Sequence, residues 1–210
     1  MTRSPRPGTV LFDLGGVLID WDPRHLYRKI FPDDAAGMER FLAEICTPEW
    51  NHAQDAGRGW DAAIGELVAR FPAERARIVA FRERWTETLG GPIAETVAIL
   101  RELIDQGRPV YALTNWAADT FAIARTLPGY EFLGWFKGIV VSGKEKIAKP
   151  DPRIWEIVLA RFGLAAGDTL FIDDSSRNIE AAAALGFDTI RFTSPAALRA
   201  ELETRGLLAG

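Results

Sequence analysis

The stretch Thr9 to Asp20, TVLFDLGGVLID, constrains the fold of this chain more than any other. Thr9, Val10, Leu11 and Phe12 run straight into the carboxylate of Asp13, two glycines follow at Gly15 and Gly16, and a second apolar run begins. A short continuous apolar run of this kind reads as a strand covered on both faces, the signature of a parallel sheet, with Asp13 emerging at its carboxyl end. Glycines just beyond it let backbone come close to a ligand. Gly16 is therefore a candidate substrate-binding position. Open α/β sheets carry their chemistry at that edge. A turn or helix cap at Asp13 would give the same local pattern, so the choice rests on the rest of the chain.

After Asp20 the period changes from strand to helix for about seventy residues. Asp22 and Pro23 open one helix with Leu26, Tyr27, Ile30 and Phe31 on a single face. Met38, Phe41, Leu42 and Ile45 form a second stripe, Ile64, Leu67, Val68 and Phe71 a third, and Ile78, Phe81, Trp85 and Leu89 a fourth. These predict a four-helix insertion joined to the core near Asp20 to Trp21 and again at Gly90, Gly91 and Pro92. From Ile93 helix and strand alternate. Strands are predicted at Pro109 to Thr114, Gly138 to Ser142, Thr169 to Asp173 and Thr189 to Phe192, with helices between them and a last helix from about Pro195. The expected fold is α/β: a three-layer sandwich on a five-stranded parallel Rossmann-like sheet. Residues 1–20 and 90–210 make the core, and residues 21–89 make a helical cap.

Composition narrows the partners. The 210 residues, 48% of them hydrophobic, suffice for a sizeable core. A net charge of −4 with basic and acidic residues interspersed leaves no footprint for nucleic acid or an anionic membrane, so a small metabolite is the expected partner. No segment reaches the length of a membrane span. Arg3 and Arg6 precede an apolar run that Asp13 interrupts, which is not the pattern of a secretory leader. The single cysteine, Cys46, sits on an apolar helical face and reads as a core thiol in a reducing, cytoplasmic setting. Either a monomer or a homodimer is compatible with these numbers.

Asp13 ends the first strand, Thr114 and Asn115 the second, Asp173 and Asp174 the fourth, while Lys149 stands just before a helix start. Strand ends in a parallel sheet share one edge, so these groups are expected in one cleft. The same residues resemble the four motifs of the haloacid dehalogenase superfamily: FDLGGVL, LTN at Leu113 to Asn115, Lys149 in KPDP, and FIDDSSRN at Phe171 to Asn178. That resemblance spans the whole core, with the helical segment where many members carry a cap. It implies a phosphatase in which Asp13 attacks phosphorus to form an aspartyl-phosphate. It also implies Mg²⁺ held by Asp13, the Gly15 carbonyl and Asp173, with Asp174 in support. Thr114, Asn115 and Lys149 would hold the transferring oxygens, and Asn178 would support the acidic pair.

One position departs from the pattern. Most phosphatases of the superfamily carry a second aspartate two places after the nucleophile, where this chain has Gly15. Loss of a general acid/base typically removes about 10²- to 10⁴-fold in rate. Asp22, His25, Glu49 and His52 are candidate replacements, and His25 and His52 are also candidate substrate contacts. Without a replacement, an acidic leaving group such as an anomeric sugar hydroxyl would suffer least. Some sugar-1-phosphate phosphatases of the superfamily have a similar first motif, DLGNV. A Gly15→Asp variant should then gain most on alkyl esters.

Two other readings compete with a phosphatase. The namesake 2-haloacid dehalogenases also lack the second aspartate; Asp13 would then attack carbon, and Arg24, Arg28 or Arg40 would receive halide. Against this, those enzymes resemble Ser-Asn rather than Asp-Asp in the fourth motif, and where they carry a tyrosine this chain has Trp155. A sensor that binds phosphate without turnover is the non-catalytic reading. Phosphonate cleavage would need a cap lysine, and only Lys29 is present in that segment. In the cap, Trp21, Trp50, Trp60 and Trp85 read mainly as core. The polar stretch EWNHAQDAGRGW is expected as a loop over the cleft that could read a sugar with Asn51, His52, Gln54, Asp55 or Arg58. Trp116 would line the entrance.

Overall fold

The computed structural model describes residues 7–209, so Arg3 and Arg6 lie outside the described residues. The chain begins with β1 (Thr9–Phe12), every residue of which is buried, and this is why it carries no polar alternation. Next comes β2 (Ile19–Trp21), which pairs antiparallel with β3 (Leu89–Pro92) in a separate two-stranded ribbon. The main sheet continues with β4 (Val110–Thr114), β5 (Ile139–Val141), β6 (Thr169–Asp173) and β7 (Asp188–Arg191). It is parallel throughout, in the order β5-β4-β1-β6-β7. Val10 stands opposite both Val110 of β4 and Leu170 of β6, so β1 is the centre. The chain first builds outward through β4 and β5, then returns to the other side of β1 for β6 and β7. That reversal opens a crevice at the carboxyl end of β1.

Between β2 and β3 lie five helices: α1 (Arg24–Ile30), α2 (Ala35–Glu44), α3 (Pro48–Asp55), α4 (Trp60–Arg70) and α5 (Arg75–Glu83). The four apolar stripes account for α1, α2, α4 and α5. Helix α3 is additional and corrects the expectation of a loop over Glu49 to Trp60. Thr47 Oγ1 accepts the Trp50 N–H at 3.1 Å and Pro48 occupies the first turn, a strong helix start. Only Trp50 and Gln54 of α3 are buried, one turn apart, so its apolar stripe is too narrow to register as a period. The insertion is knit by aromatic rings: Tyr27 lies 5.0 Å from Phe41 and Trp50 lies 5.3 Å from Phe81, centroid to centroid. Cys46 is packed there, its thiol pushed up to about 12 by burial, as a core thiol should be.

Six helices follow β3: α6 (Ala94–Asp105), α7 (Ala118–Ala124), the single turn α8 (Ser142–Glu145), α9 (Pro152–Phe162), α10 (Ser176–Ala184) and α11 (Pro195–Thr204). Leu100 and Leu103 of α6 and Leu198 and Leu202 of α11 cover one face of the sheet, continuous with the aromatic core of the insertion. Ile154, Trp155 and Val158 of α9 and Ala182 of α10 cover the other, around Leu11, Leu113 and Phe171. This is the three-layer α/β sandwich. Each fully buried large apolar side chain contributes on the order of 1.5–3 kcal/mol. At the junction a Cβ on Gly90 would run into the Asp20 carboxylate and lie 2.9 Å from the His25 ring, so glycine there lets the two connecting strands pass closely. No helix of the described residues is long and apolar enough to cross a membrane.

Candidate active site

Asp13 leaves the end of β1 with its N–H still donating to Ile172 of β6 at 2.8 Å. Its Oδ1 accepts the Leu14 N–H at 2.7 Å and faces Lys149 Nζ at 3.0 Å. Asp173 at the end of β6 is fully buried, and Lys149 Nζ donates to its Oδ2 at 2.6 Å and to the Leu113 carbonyl at 3.1 Å. The Ser175 N–H donates to Asp173 Oδ1 at 2.8 Å, and Asn178 Nδ2 reaches both carboxylate oxygens at 3.1 and 3.0 Å. Thr114 is buried at the end of β4 beside them.

The lysine is held from both ends. Asn115 Nδ2 donates to the Lys149 carbonyl at 2.9 Å, and the Lys149 N–H donates back to Asn115 Oδ1 at 2.8 Å. A reciprocal clamp of this kind fixes backbone across 34 positions of sequence. Because the Asn115 amide is engaged there, its first role is to place the lysine. Trp116 follows, with its N–H on Ser142 Oγ at 2.9 Å.

Carboxylate oxygens of Asp13, Asp173 and Asp174 lie within 4.8 Å of one another. Burial pushes the Asp13 carboxyl far up and Lys149 pulls it back, while Asp173 and Asp174 push it further. Asp174 is also raised, by burial and then by Asp173. Burial pulls Lys149 down, but Asp13 and Asp173 outweigh it and the ammonium stays charged. Three carboxylates against one ammonium leave surplus negative charge. An all-oxygen donor set with that surplus suits a hard divalent cation, so Asp13, Asp173 and Asp174 fit Mg²⁺. Gly16 has φ +74°, and a Cβ there would strike the Asp174 carboxylate; only glycine leaves that acid in place.

The other expected residues divide. His52 lines a cavity of about 520 Å³ together with Asn115, Lys149, Arg177 and Asn178. Burial, then Arg177, hold its imidazole below the usual range and favour the neutral ring. His25 is not brought there: its Nε2 lies 3.0 Å from Asp20 Oδ2 at the junction with the insertion. Asp22 caps α1 through the Arg24 N–H at 2.8 Å. Arg24 is paired with Glu39 at 2.7 Å, and Arg40 lines a pocket with Phe31, Asp34 and Arg77 that contains none of the strand-end residues. Lys29 pairs with Glu87 at 2.9 Å. Trp155 is buried against Phe171.

Two features escaped the sequence. Arg177 at the start of α10 adds a cation to the mouth of the cleft, although it stands inside the fourth motif stretch and could have been singled out there. A small cavity of about 70 Å³, lined by Gly15, Asn51, Asp55, Asn115, Trp116 and neighbouring tryptophans, joins α3 to the ends of β1 and β4. No local pattern announces it, because its walls come from five separate segments.

The sequence profile of haloacid dehalogenase-like hydrolases matches residues 7–186. A sesquiterpene phosphatase of Aspergillus oryzae is 31% identical over 192 residues, covering 91% of this chain and 93% of that protein. A phosphoglycolate phosphatase of Pectobacterium atrosepticum is 28% identical over 197 residues, covering 87% and 78%. Among solved structures, an enzyme of Bacteroides thetaiotaomicron in complex with magnesium and inorganic phosphate superposes with a TM-score of 0.66 at 22% identity, covering 88% of this chain and 93% of that one. At that identity the likeness is one of fold.

Proposed function

This chain belongs to the haloacid dehalogenase-like hydrolases, on their phosphatase branch, and we propose that it hydrolyses a phosphate monoester with Mg²⁺ through an aspartyl-phosphate on Asp13. The observation that carries the proposal is the convergence of Asp13, Asp173 and Asp174 around one point with Lys149 buried against them. Mg²⁺, when bound by these acids and the Gly15 carbonyl, supplies the positive charge that lets an anionic ester approach an anionic attacker.

The protein groups do the rest. Asp13 accepts its hydrogen bonds from Leu14 and Lys149 on Oδ1, which fixes the carboxylate and orients it for attack on phosphorus. Lys149, clamped by Asn115, absorbs charge that grows on the transferring oxygens, and Thr114 borders the same edge. Asn178 and the Ser175 N–H hold the Asp173 carboxylate in place. Residues 21–89 act as a cap over the core of 1–20 and 90–210, limiting water at the reacting centre.

The lining favours an ester with a bulky, partly apolar organic half. The 520 Å³ cavity shares Pro48 and Glu49 with one of about 690 Å³ that includes Trp21, Leu42, Cys46 and Phe81. A terpenoid phosphate and a sugar 1-phosphate both meet that description, the first also by likeness to the Aspergillus enzyme. The 2-haloacid reading is disfavoured by the acidic pair, since Asp173 and Asp174 would repel a haloacid carboxylate. The deciding experiment measures phosphate release from farnesyl monophosphate, glucose 1-phosphate, phosphoglycolate and p-nitrophenyl phosphate with Mg²⁺ or EDTA, and halide release from 2-chloropropionate. Mg²⁺-dependent phosphate release with no halide is expected. Halide release in EDTA without phosphate release overturns the reaction, and phosphate binding without release favours the sensor.

A further inference from the structure

Gly15 leaves a gap in the chemistry and a gap in space. A Cβ built there meets nothing within 4 Å, and the adjoining cavity of about 70 Å³ is shared with the insertion through Asn51 and Asp55 of α3. Asp55 is the one acid among the residues lining it. We propose that Asp55 delivers to the ester oxygen the proton that Gly15 cannot, and recovers one from the water that completes the reaction.

Three observations support this. First, Asp55 is positioned by the active-site loop rather than by its own helix alone. Its carboxylate accepts from Asn51 Nδ2 at 3.1 Å and from the backbone N–H of Ala117, two residues beyond Asn115. Its carbonyl accepts from Ser142 Oγ at 2.5 Å, the same hydroxyl that receives the Trp116 N–H. Second, Asp55 shares that cavity with Trp21, Trp60, Trp85 and Trp116. Burial pushes its carboxyl up to about 7, where one group can both give and take a proton near neutrality. Third, Trp116 Nε1 in the same wall is buried and has no hydrogen-bond partner among the described residues, so a ligand oxygen there would meet an available donor as well as an acid.

Of the alternatives named by sequence, two are otherwise engaged, and two share the cleft with Lys149 but not the gap at Gly15. Asp22 caps α1, His25 faces Asp20, and His52 and Glu49 line the 520 Å³ cavity, whose lining does not include Gly15. Asp119, close by, is paired with Arg82 at 2.7 Å and receives the Trp60 Nε1–H at 3.1 Å.

The step rests on the phosphatase reading and balances as follows. Asp13 attacks phosphorus, the bond to the ester oxygen breaks with its electron pair on that oxygen, and the Asp55 proton joins it; a neutral alcohol leaves. Water then attacks phosphorus and passes a proton to the Asp55 carboxylate. The bond from phosphorus to Asp13 breaks, its pair returning to the Asp13 carboxylate, and phosphate departs with Asp55 again protonated. With this donor present, ordinary alkyl esters become substrates, contrary to the restriction expected from Gly15 alone.

Turnover of an alkyl phosphate and of p-nitrophenyl phosphate is compared in the parent, Asp55→Asn, Gly15→Asp and the double variant. For Asp55→Asn, alkyl turnover should fall about 10²-fold or more. p-Nitrophenyl phosphate, whose leaving group needs no proton, should instead give a rapid burst of one equivalent of p-nitrophenol followed by slow turnover. Adding Gly15→Asp to Asp55→Asn should restore alkyl turnover to within about tenfold of the parent, because the two acids would occupy one function. If Asp55 only latches α3 to the loop after β4, both esters fall together, no burst appears and Gly15→Asp rescues neither; that result overturns the proposal. Gly15→Asp alone is a second check that does not depend on Asp55 variants folding. The ratio of alkyl to p-nitrophenyl turnover should stay within about threefold of the parent's whatever the overall rate, and a gain near 10²-fold in that ratio would mean that no donor was present and overturn the proposal. Asp13→Asn tests the underlying reading separately: if it still releases phosphate, the nucleophile is wrong whatever Asp55 does.

Discussion

Replacing Lys149 by methionine isolates the electrostatic balance of the site. Met nearly conserves the volume of a fully buried side chain, so no cavity forms and the loss is one of charge and hydrogen bonds. Three contacts disappear: to Asp13 Oδ1 at 3.0 Å, to Asp173 Oδ2 at 2.6 Å and to the Leu113 carbonyl at 3.1 Å. Removing one member of a buried ion pair costs about 3–5 kcal/mol, chiefly because the partner is left without compensation. Here two buried carboxylates are left, so the upper half of that range applies. For a chain of this size each kcal/mol moves the melting temperature by about 2–4 °C, so the variant should melt about 8–20 °C below the parent in EDTA. Differential scanning calorimetry with matched urea unfolding measures it. A loss under about 1 kcal/mol, with the fold intact by circular dichroism, would refute the view that the ammonium neutralises this cluster.

Other perturbations test separate parts of the structure. Gly16→Ala should cost about 1 kcal/mol or more from its left-handed backbone and displace Asp174; a higher Mg²⁺ concentration for half-maximal phosphate release should accompany it, and an unchanged requirement would count against Asp174 as a ligand. Arg177→Ala should raise KM about tenfold at constant kcat if the cation at the cleft mouth only attracts the ester; a fall in kcat at constant KM would reject that role. Asp55 has a folded pKa of about 7 against 3.8 for the free side chain, so its contribution is intact below about pH 4 and is lost as pH rises through 7. The parent should therefore weaken relative to Asp55→Asn by up to about 4 kcal/mol between pH 4 and 8. Parallel pH series of denaturant melts read this difference, and a flat difference would show that the carboxyl is solvated.

Sequence and structure agree best where the signal is local. Thr9 to Phe12, Val110 to Thr114 and Thr169 to Asp173 are short apolar runs that end in polar groups, and each is a buried strand of the parallel sheet. The acids and the lysine could be grouped from sequence because strand ends in such a sheet share an edge. Agreement is weaker in the insertion. Helix α3 was hidden because only Trp50 and Gln54 face inward. His25 looked like a site residue on chemical grounds, yet the ribbon of β2 and β3 turns it towards Asp20.

Periodicity along the chain determined which segments are strands and which end of each carries chemistry, and the resemblance of the first motif to its family marked Gly15 as standing where an acid is expected. Those properties depend on neighbours a few residues away. Tertiary packing decided which polar residues of the insertion meet that gap: the rotation of α3 about its axis is set by Trp50 against Phe81 and by Ser142 and Ala117 against Asp55. Such contacts join residues some 30 to 90 positions apart, and a helix with two buried side chains carries too little pattern to announce its own orientation.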